Sequence, residues 1–477
     1  MLIIPIVIES ALSMSLGMID GVMASHAKDA AGGDIVSAIT SVDQVSNLLI
    51  QLFTAFGAGG AILTSQFLGA GRREEANKSA KQLAVIMLII SIVVMVVCMV
   101  FNRQIILLLF NEAPPNTIDY ASQYFMIMAA SYPFLAIFNC CAALLRAQRK
   151  SMNTMLSGII SFFLNIIFNA IFIYACNLAV IGVALGTLLA RMFPAGFTLF
   201  LMTRKDNLVR IKVFERFRFN GRQLGKILKL AVPSGIENSL FQLGKILVIA
   251  FISIASYRVF LDGNPLNLDP QNITNYATAA NSVAYNINTM SSIVGNGLNT
   301  AILTVVGQAV GTGDIGQVRY YIRKMILFSY AGNALCVALI WAISPLLINY
   351  AYNVPDAARD QAWQCLCLCL AFQFLTYPLS FGMPAVLKAT SDVKYVMIAA
   401  IASMVIFRVG LCYVLTCDWA NCHLGALGLW IGMVTDWVVR SILFTGRFLS
   451  GRWKKSSGML KTEASVSCEG TFCNYGK

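Results

Sequence analysis

The sequence predicts an all-α membrane protein with twelve transmembrane helices arranged as two pseudo-symmetric six-helix bundles. Three observations carry that prediction. Of the 477 residues, 58% are apolar and only 12% charged, whereas soluble domains average about 25% charged. The apolar residues gather into stretches long enough to cross a bilayer, and the second half of the chain repeats the first.

The predicted spans are 2–24, 36–69, 80–101, 119–145, 152–175, 179–202, 226–256, 276–311, 320–343, 358–387, 394–415 and 424–448. Each offers the roughly 20 apolar residues that a 30 Å hydrocarbon core requires. The first span begins without a basic cytoplasmic lead-in, which reads as a chain start placed late.

A net charge of +13 raises the question of a polyanionic partner, but the basic residues sit at alternate connections. Arg72, Arg73, Lys78 and Lys81 follow the second span, and Arg146, Arg149 and Lys150 follow the fourth. A basic run from Arg204 to Lys229 follows the sixth, and Arg447, Arg452, Lys454 and Lys455 close the chain. Positive charge retained on the cytoplasmic side orients a membrane protein. Both termini are therefore expected in the cytoplasm, with membrane lipid rather than nucleic acid as a partner.

The repeat is the strongest internal signal. Pro5 to Glu9 (PIVIE) returns as Pro233 to Glu237 (PSGIE), QFLGAG at 66–71 as QAVGTG at 308–313, and LRA at 145–147 as LKA at 387–389. Each recurrence lies the same number of spans after its first occurrence, so the halves share one topology. Parallel repeats of this kind place a central site near the repeat interface. The expected organisation is an N-terminal bundle at 1–202, a cytoplasmic linker at 203–225, a C-terminal bundle at 226–455 and a disordered cytoplasmic tail at 456–477. The linker is charged and aromatic, as a segment lying on the lipid surface would be.

Ionisable residues inside the spans are functional candidates because their burial in hydrocarbon is costly. The first span carries Glu9 and Asp20. The second places Asp43, Asn47 and Gln51 on one helical face, either lining a cavity or bonding to a neighbouring helix. Glu237 matches Glu9 across the repeat, so the two either line a cavity or gate, or are solvated near the cytoplasmic ends. Gln242 and Lys245 follow in the seventh span, and Asp436 with Arg440 has the spacing of an internal ion pair.

No nucleophile or metal constellation of an enzyme is apparent. Cys365, Cys367 and Cys369 alternate along one helix and do not share a face, so they read as small apolar fillers. Cys417 and Cys422 flank an outer turn, where pairing and free thiols are both open.

With Pro5 and Asp20 in the first span, SQFLGAG at 65–71, LRAQ at 145–148, and Gly182 to Thr187 in the sixth span, the chain resembles the multidrug and toxic compound extrusion (MATE) family. The resemblance extends over nearly the whole length. It implies a V-shaped pair of six-helix bundles opening alternately to either side of the membrane, with no cofactor and a proton or sodium ion as the coupling ion. By position it assigns that ion to Asp20, Asn165, Asn169 and Thr187, which would also be the ligands of a sodium ion. Asn169 stands where the family often has aspartate. The lost charge should weaken a sodium site and favour a proton carried by Asp20.

The implied function is efflux of amphipathic or cationic drugs and toxins by a monomer, with Met14, Met18 and Phe53 among the cavity walls. A lipid-linked oligosaccharide flippase of the same superfamily is the alternative. It would want a strongly cationic cavity, for which the sequence offers chiefly Arg191 and Lys245.

Overall fold

The computed structural model describes residues 3–25, 32–109, 114–176, 178–211, 219–261, 270–351, 356–416 and 425–456. Backbone amides in a bilayer have no water to bond, so a spanning chain must satisfy them internally. Among the described residues the regular structure is helical throughout, with turns such as 204–211 between helices.

The helices are α1 (Ile3–Ser25), α2 (Gly32–Gly69), α3 (Arg73–Val100), the short α4 (Asn102–Leu109), α5 (Pro115–Ala147), α6 (Ser151–Ala170) and α7 (Ala179–Thr203). After them come α8 (Gly221–Leu261), α9 (Pro270–Ser291), α10 (Ile293–Thr312), α11 (Ile315–Leu346), α12 (Asp356–Tyr377), α13 (Met383–Ala389), α14 (Val393–Ser403), α15 (Cys412–Thr416), α16 (Gly425–Leu449) and α17 (Trp453–Ser456). Ten helical runs among the described residues are long and apolar enough to cross a membrane.

The twelve predicted spans map onto these elements with one correction of continuity. The span expected at 276–311 is interrupted at Ser292, where α9 ends and α10 begins. Four π-helical turns, at Ile171–Ala175, Leu347–Ala351, Pro378–Gly382 and Met404–Leu411, interrupt or end other spans. The tail at 457–477, residues 212–218 of the linker, and Cys417 and Cys422 lie outside the described residues.

The repeat is visible in the backbone. After α5, the amide of Lys150 donates to Leu145 O and that of Arg149 to Arg146 O, both at 2.9 Å. After α13, Asp392 donates to Leu387 O and Ser391 to Lys388 O, again at 2.9 Å. These paired bonds satisfy the last carbonyls of each helix and demand a left-handed residue. Arg149 (φ 63°) and Ser391 (φ 66°) take it, although neither is glycine. Gly71 (φ 72°) and Gly313 (φ 78°) hold matching positions after α2 and α10. Thus even the irregular backbone positions follow the sequence repeat.

By contact the chain divides into two compact units, Met1–Ser239 with Leu303–Thr312, and Leu240–Ile302 with Gly313–Lys477. In the first, α5 packs on α2, α3 and α7, while α6 packs on α1 and α7. The outward side of α3, with Ile89, Val93, Val96 and Val97, is exposed, as a lipid-facing helix should be. In the second unit, α12 packs on α9 and α16 around a core that includes Trp430, Trp437, Cys365 and Cys369. Phe53 was expected in a cavity wall. It is instead fully buried on α2, its ring 6.4 Å from that of Tyr132, because this position faces the helix-packed core.

Within the first unit, the last turns of α2 and α10 cross reciprocally. A Cβ on Gly69 would overlap the carbonyl of Gln308, and one on Gly311 would overlap the carbonyl of Gln66. Arg149 Nε donates to Gln308 Oε1 at 2.6 Å, and Gln308 Nε2 donates to Ala147 O at 2.7 Å, clamping the crossing. Backbone cannot yield as a flexible side chain can. Gly69→Ala is expected to destabilise the protein by about 1–3 kcal/mol, the usual cost of overpacking, measurable as a lowered thermal midpoint in detergent. Gly221→Ala, where the added carbon meets open space, is the matched control.

Candidate functional site

A concentration of buried polarity in the first unit lies between α6 and α7. Asn165 and Asn169 are one turn apart on α6, and Thr187 faces them from α7; all three are buried. Asn169 Nδ2 donates to Asn165 Oδ1 at 3.3 Å, and Asn165 Nδ2 lies 3.4 Å from Thr187 Oγ1. Glycine permits this approach, since a Cβ on Gly186 would overlap Asn169 Oδ1. Side-chain amides and a hydroxyl offer both donors and acceptors, so the trio can receive a carboxyl group, a cation or water.

Asn165 and Thr187 open onto a cavity of about 330 Å³, whose wall also includes Ser13, Asn47, Asn139 and Arg191. Its size is that of a small ligand site. Arg191 is the charged group among the described wall residues, and its Nη1 donates to Ser131 Oγ at 2.7 Å. From α2 the wall takes Asn47, Ile50 and Thr54, not Gln51. Asp43 lies one turn before Asn47 and accepts from the Tyr124 hydroxyl at 3.5 Å.

Asp20 lies on α1, but its side chain, like that of Met18, is outside the described residues. Glu9 is buried in an ion pair. Its Oε1 accepts from Arg146 Nη1 at 2.7 Å, and its Oε2 accepts from Thr154 Oγ1 at 2.8 Å. That pairing joins α1 to α5 and α6. Glu9 and Arg146 each stood out in the sequence, yet nothing in their separation of 137 residues shows that they meet.

Glu237 is also buried, on α8 in the first unit, whereas Gln242 and Lys245 belong to the second. Lys245 Nζ lies 3.5 Å from the Tyr285 hydroxyl and 5.3 Å from the Phe241 ring centroid. The expected Asp436–Arg440 pair is not formed. Asp436 accepts from Ser403 Oγ at 2.7 Å and stands 4.0 Å from Arg408, while Arg440 lies over Phe381 and Phe241. Arg408 reaches Asp436 from the π-helical turn Met404–Leu411, an irregularity that regular helical spacing does not anticipate. Among the described residues no group of three or more His, Cys, Asp or Glu side chains could hold a metal ion.

A family profile described as MatE matches residues 5–171 and 272–414. The chain belongs to the MATE family. Among curated relatives, this MATE protein is 23% identical over 460 residues to the probable multidrug resistance protein NorM of Thermotoga maritima, covering 95% of this chain and 92% of the relative. It is 23% identical over 398 residues to the multidrug export protein MepA of Staphylococcus aureus, covering 83% and 82%. Among solved structures, an outward-facing multidrug resistance MATE family transporter of the MOP superfamily matches with a TM-score of 0.82 at 20% identity, over 96% of this chain and 95% of that one. The MATE fold is thus common to both proteins, and this MATE protein is a multi-pass membrane protein.

Proposed function

We propose that this protein exports small amphipathic molecules across a cell membrane, with both termini cytoplasmic, driven by proton influx through Asp20. The observation that carries the reading is the 330 Å³ cavity of the first unit, with Asn165 and Thr187 in its wall. The multidrug roles named for its relatives support the direction and breadth of transport. Because the charged group among the described wall residues is Arg191, a cation, the substrate is read as amphipathic without being obligatorily cationic.

One charge moving inward at 100 mV is worth about 2.3 kcal/mol, enough for a gradient of roughly fiftyfold. A single titrating carboxylate therefore suffices as the coupling group. A proton is favoured over sodium because Asn169, hydrogen-bonded to Asn165, brings no charge to the polar trio. Sodium, a hard cation, gains from anionic oxygen ligands.

Purified protein in proteoliposomes, with pH and sodium gradients imposed separately, tests this reading. Export of a fluorescent amphipath is expected to follow the pH gradient, and Asn169→Asp is expected to raise the response to sodium. A parent protein driven equally well by sodium alone would reject the proton assignment. Absence of gradient-driven export under either condition would reject the function.

A further inference from the structure

The second unit holds a cluster of cations, Arg408, Arg440 and Lys245, gathered about one aromatic ring among the described residues. Three positive groups surround the ring of Phe241 on α8: Arg408 Cζ at 4.7 Å from the centroid, Arg440 Cζ at 5.3 Å and Lys245 Nζ at 5.3 Å. A carboxylate beside them is Asp436, 4.0 Å from Arg408 Nη1 and already accepting from Ser403. Arg408 and Arg440 are each only 4% exposed. Nevertheless Arg408 Nη1 and both Nε and Nη1 of Arg440 lack a hydrogen-bond partner among the described residues.

Burying a guanidinium with open donors is among the costliest arrangements in a protein interior. Aromatic faces offset part of that cost. Arg440 lies over Phe381 at 5.2 Å and Phe444 at 5.7 Å in addition to Phe241. A ring face attracts a cation, but it accepts no strong hydrogen bond and does not relieve repulsion among three like charges. What completes such a set is an anion with oxygen acceptors.

The surroundings indicate what kind of anion. Phe381 packs edge-on to Phe241 and to Trp437, and it stacks on Tyr377 with centroids 4.6 Å apart. Aromatic walls beside guanidinium donors suit a carboxylate carried on an aromatic frame. The rim of the cluster is its exposed side, where Tyr285 is 43% exposed and its hydroxyl meets Lys245 at 3.5 Å. Arg408 and Phe381 both lie on π-helical turns, Met404–Leu411 and Pro378–Gly382, a local geometry often found at functional sites.

We infer that Arg408, Arg440 and Lys245, grouped around Phe241, form a binding site for an aromatic monocarboxylate. The carboxylate would accept from the open donors of Arg408 and Arg440, with Lys245 drawing it in from the rim. The inference depends on the export reading only for what happens to the anion after it binds. Binding itself stands apart from coupling.

The test is calorimetric titration of detergent-purified protein in low-chloride buffer with 2-naphthoate and with its neutral counterpart 2-naphthamide. Naphthoate is expected to bind at least about tenfold more tightly, the scale of a charge-assisted hydrogen bond. Lys245→Gln and Arg440→Gln should each abolish most of that preference, while Arg319→Gln, removing an exposed charge, should retain it. Gel filtration identifies a misfolded Arg440 variant, in which case Lys245→Gln at the half-buried rim decides. Equal affinity for the two naphthalene compounds in the parent overturns the site, as does a preference unchanged in Lys245→Gln. Displacement of naphthoate by millimolar chloride as readily as by benzoate overturns the carboxylate assignment in favour of an inorganic ion. A protein that binds naphthoate but exports no dye keeps the site and loses the export reading; one that exports dye without the preference does the reverse.

Discussion

Glu9→Ala is expected to lower the stability of the folded protein by about 3–5 kcal/mol, the range for removing one partner of a buried ion pair. The carboxylate is bonded to Arg146 at 2.7 Å and Thr154 at 2.8 Å, and the side chains of Glu9 and Arg146 are only 9% and 17% exposed. Truncation leaves the guanidinium buried without its counter-charge and the threonine hydroxyl without this acceptor. Thermal unfolding in detergent measures the loss. The double variant Glu9→Ala/Arg146→Met should recover a large part of it, because an apolar side chain needs no counter-charge. If the double variant is as unstable as the sum of the single ones, the pair is not the source of the effect.

Asp20→Asn is expected to abolish gradient-driven export in a protein that still folds and inserts. The accumulation ratio should fall from a limit of roughly fiftyfold for one charge at 100 mV to about one. An amide preserves shape and hydrogen bonding but carries no titratable proton, so steric disruption is a poor explanation for the loss. Counterflow of labelled against unlabelled substrate, which needs no net ion movement, should persist. Normal concentrative export by Asp20→Asn would remove this residue from the coupling path.

Much of the fold was legible because lipid imposes simple rules on the chain. Apolar length located the helices, and the recurrence of PIVIE, QFLGAG and LRA identified the halves. The left-handed residues were not legible, since Arg149 and Ser391 belong to types that ordinarily avoid that region. Helical spacing placed Asn165 with Asn169 correctly, as neighbours on one face joined by a hydrogen bond. It misled for Asp436 and Arg440, because i, i+4 proximity only permits a pair and aromatic rings competed for the arginine. The Glu9–Arg146 and Arg408–Asp436 contacts link distant parts of the chain, so no local pattern could show them.

The π-helical turn at Met404–Leu411 bears on how related chains should be aligned. A wider turn holds an extra residue within a helix that otherwise continues from Val393 to Thr416. Deleting one residue there would let the segment relax to the 3.6-residue repeat, which narrows the turn and redirects the residues inside it, Arg408 among them, while the helix beyond keeps its phase. Arg408 would then part from Asp436, although every amino acid type needed for the contact would still be present. A one-position gap at this point in a relative therefore reports a change of site, and closing it to improve the match would conceal that change.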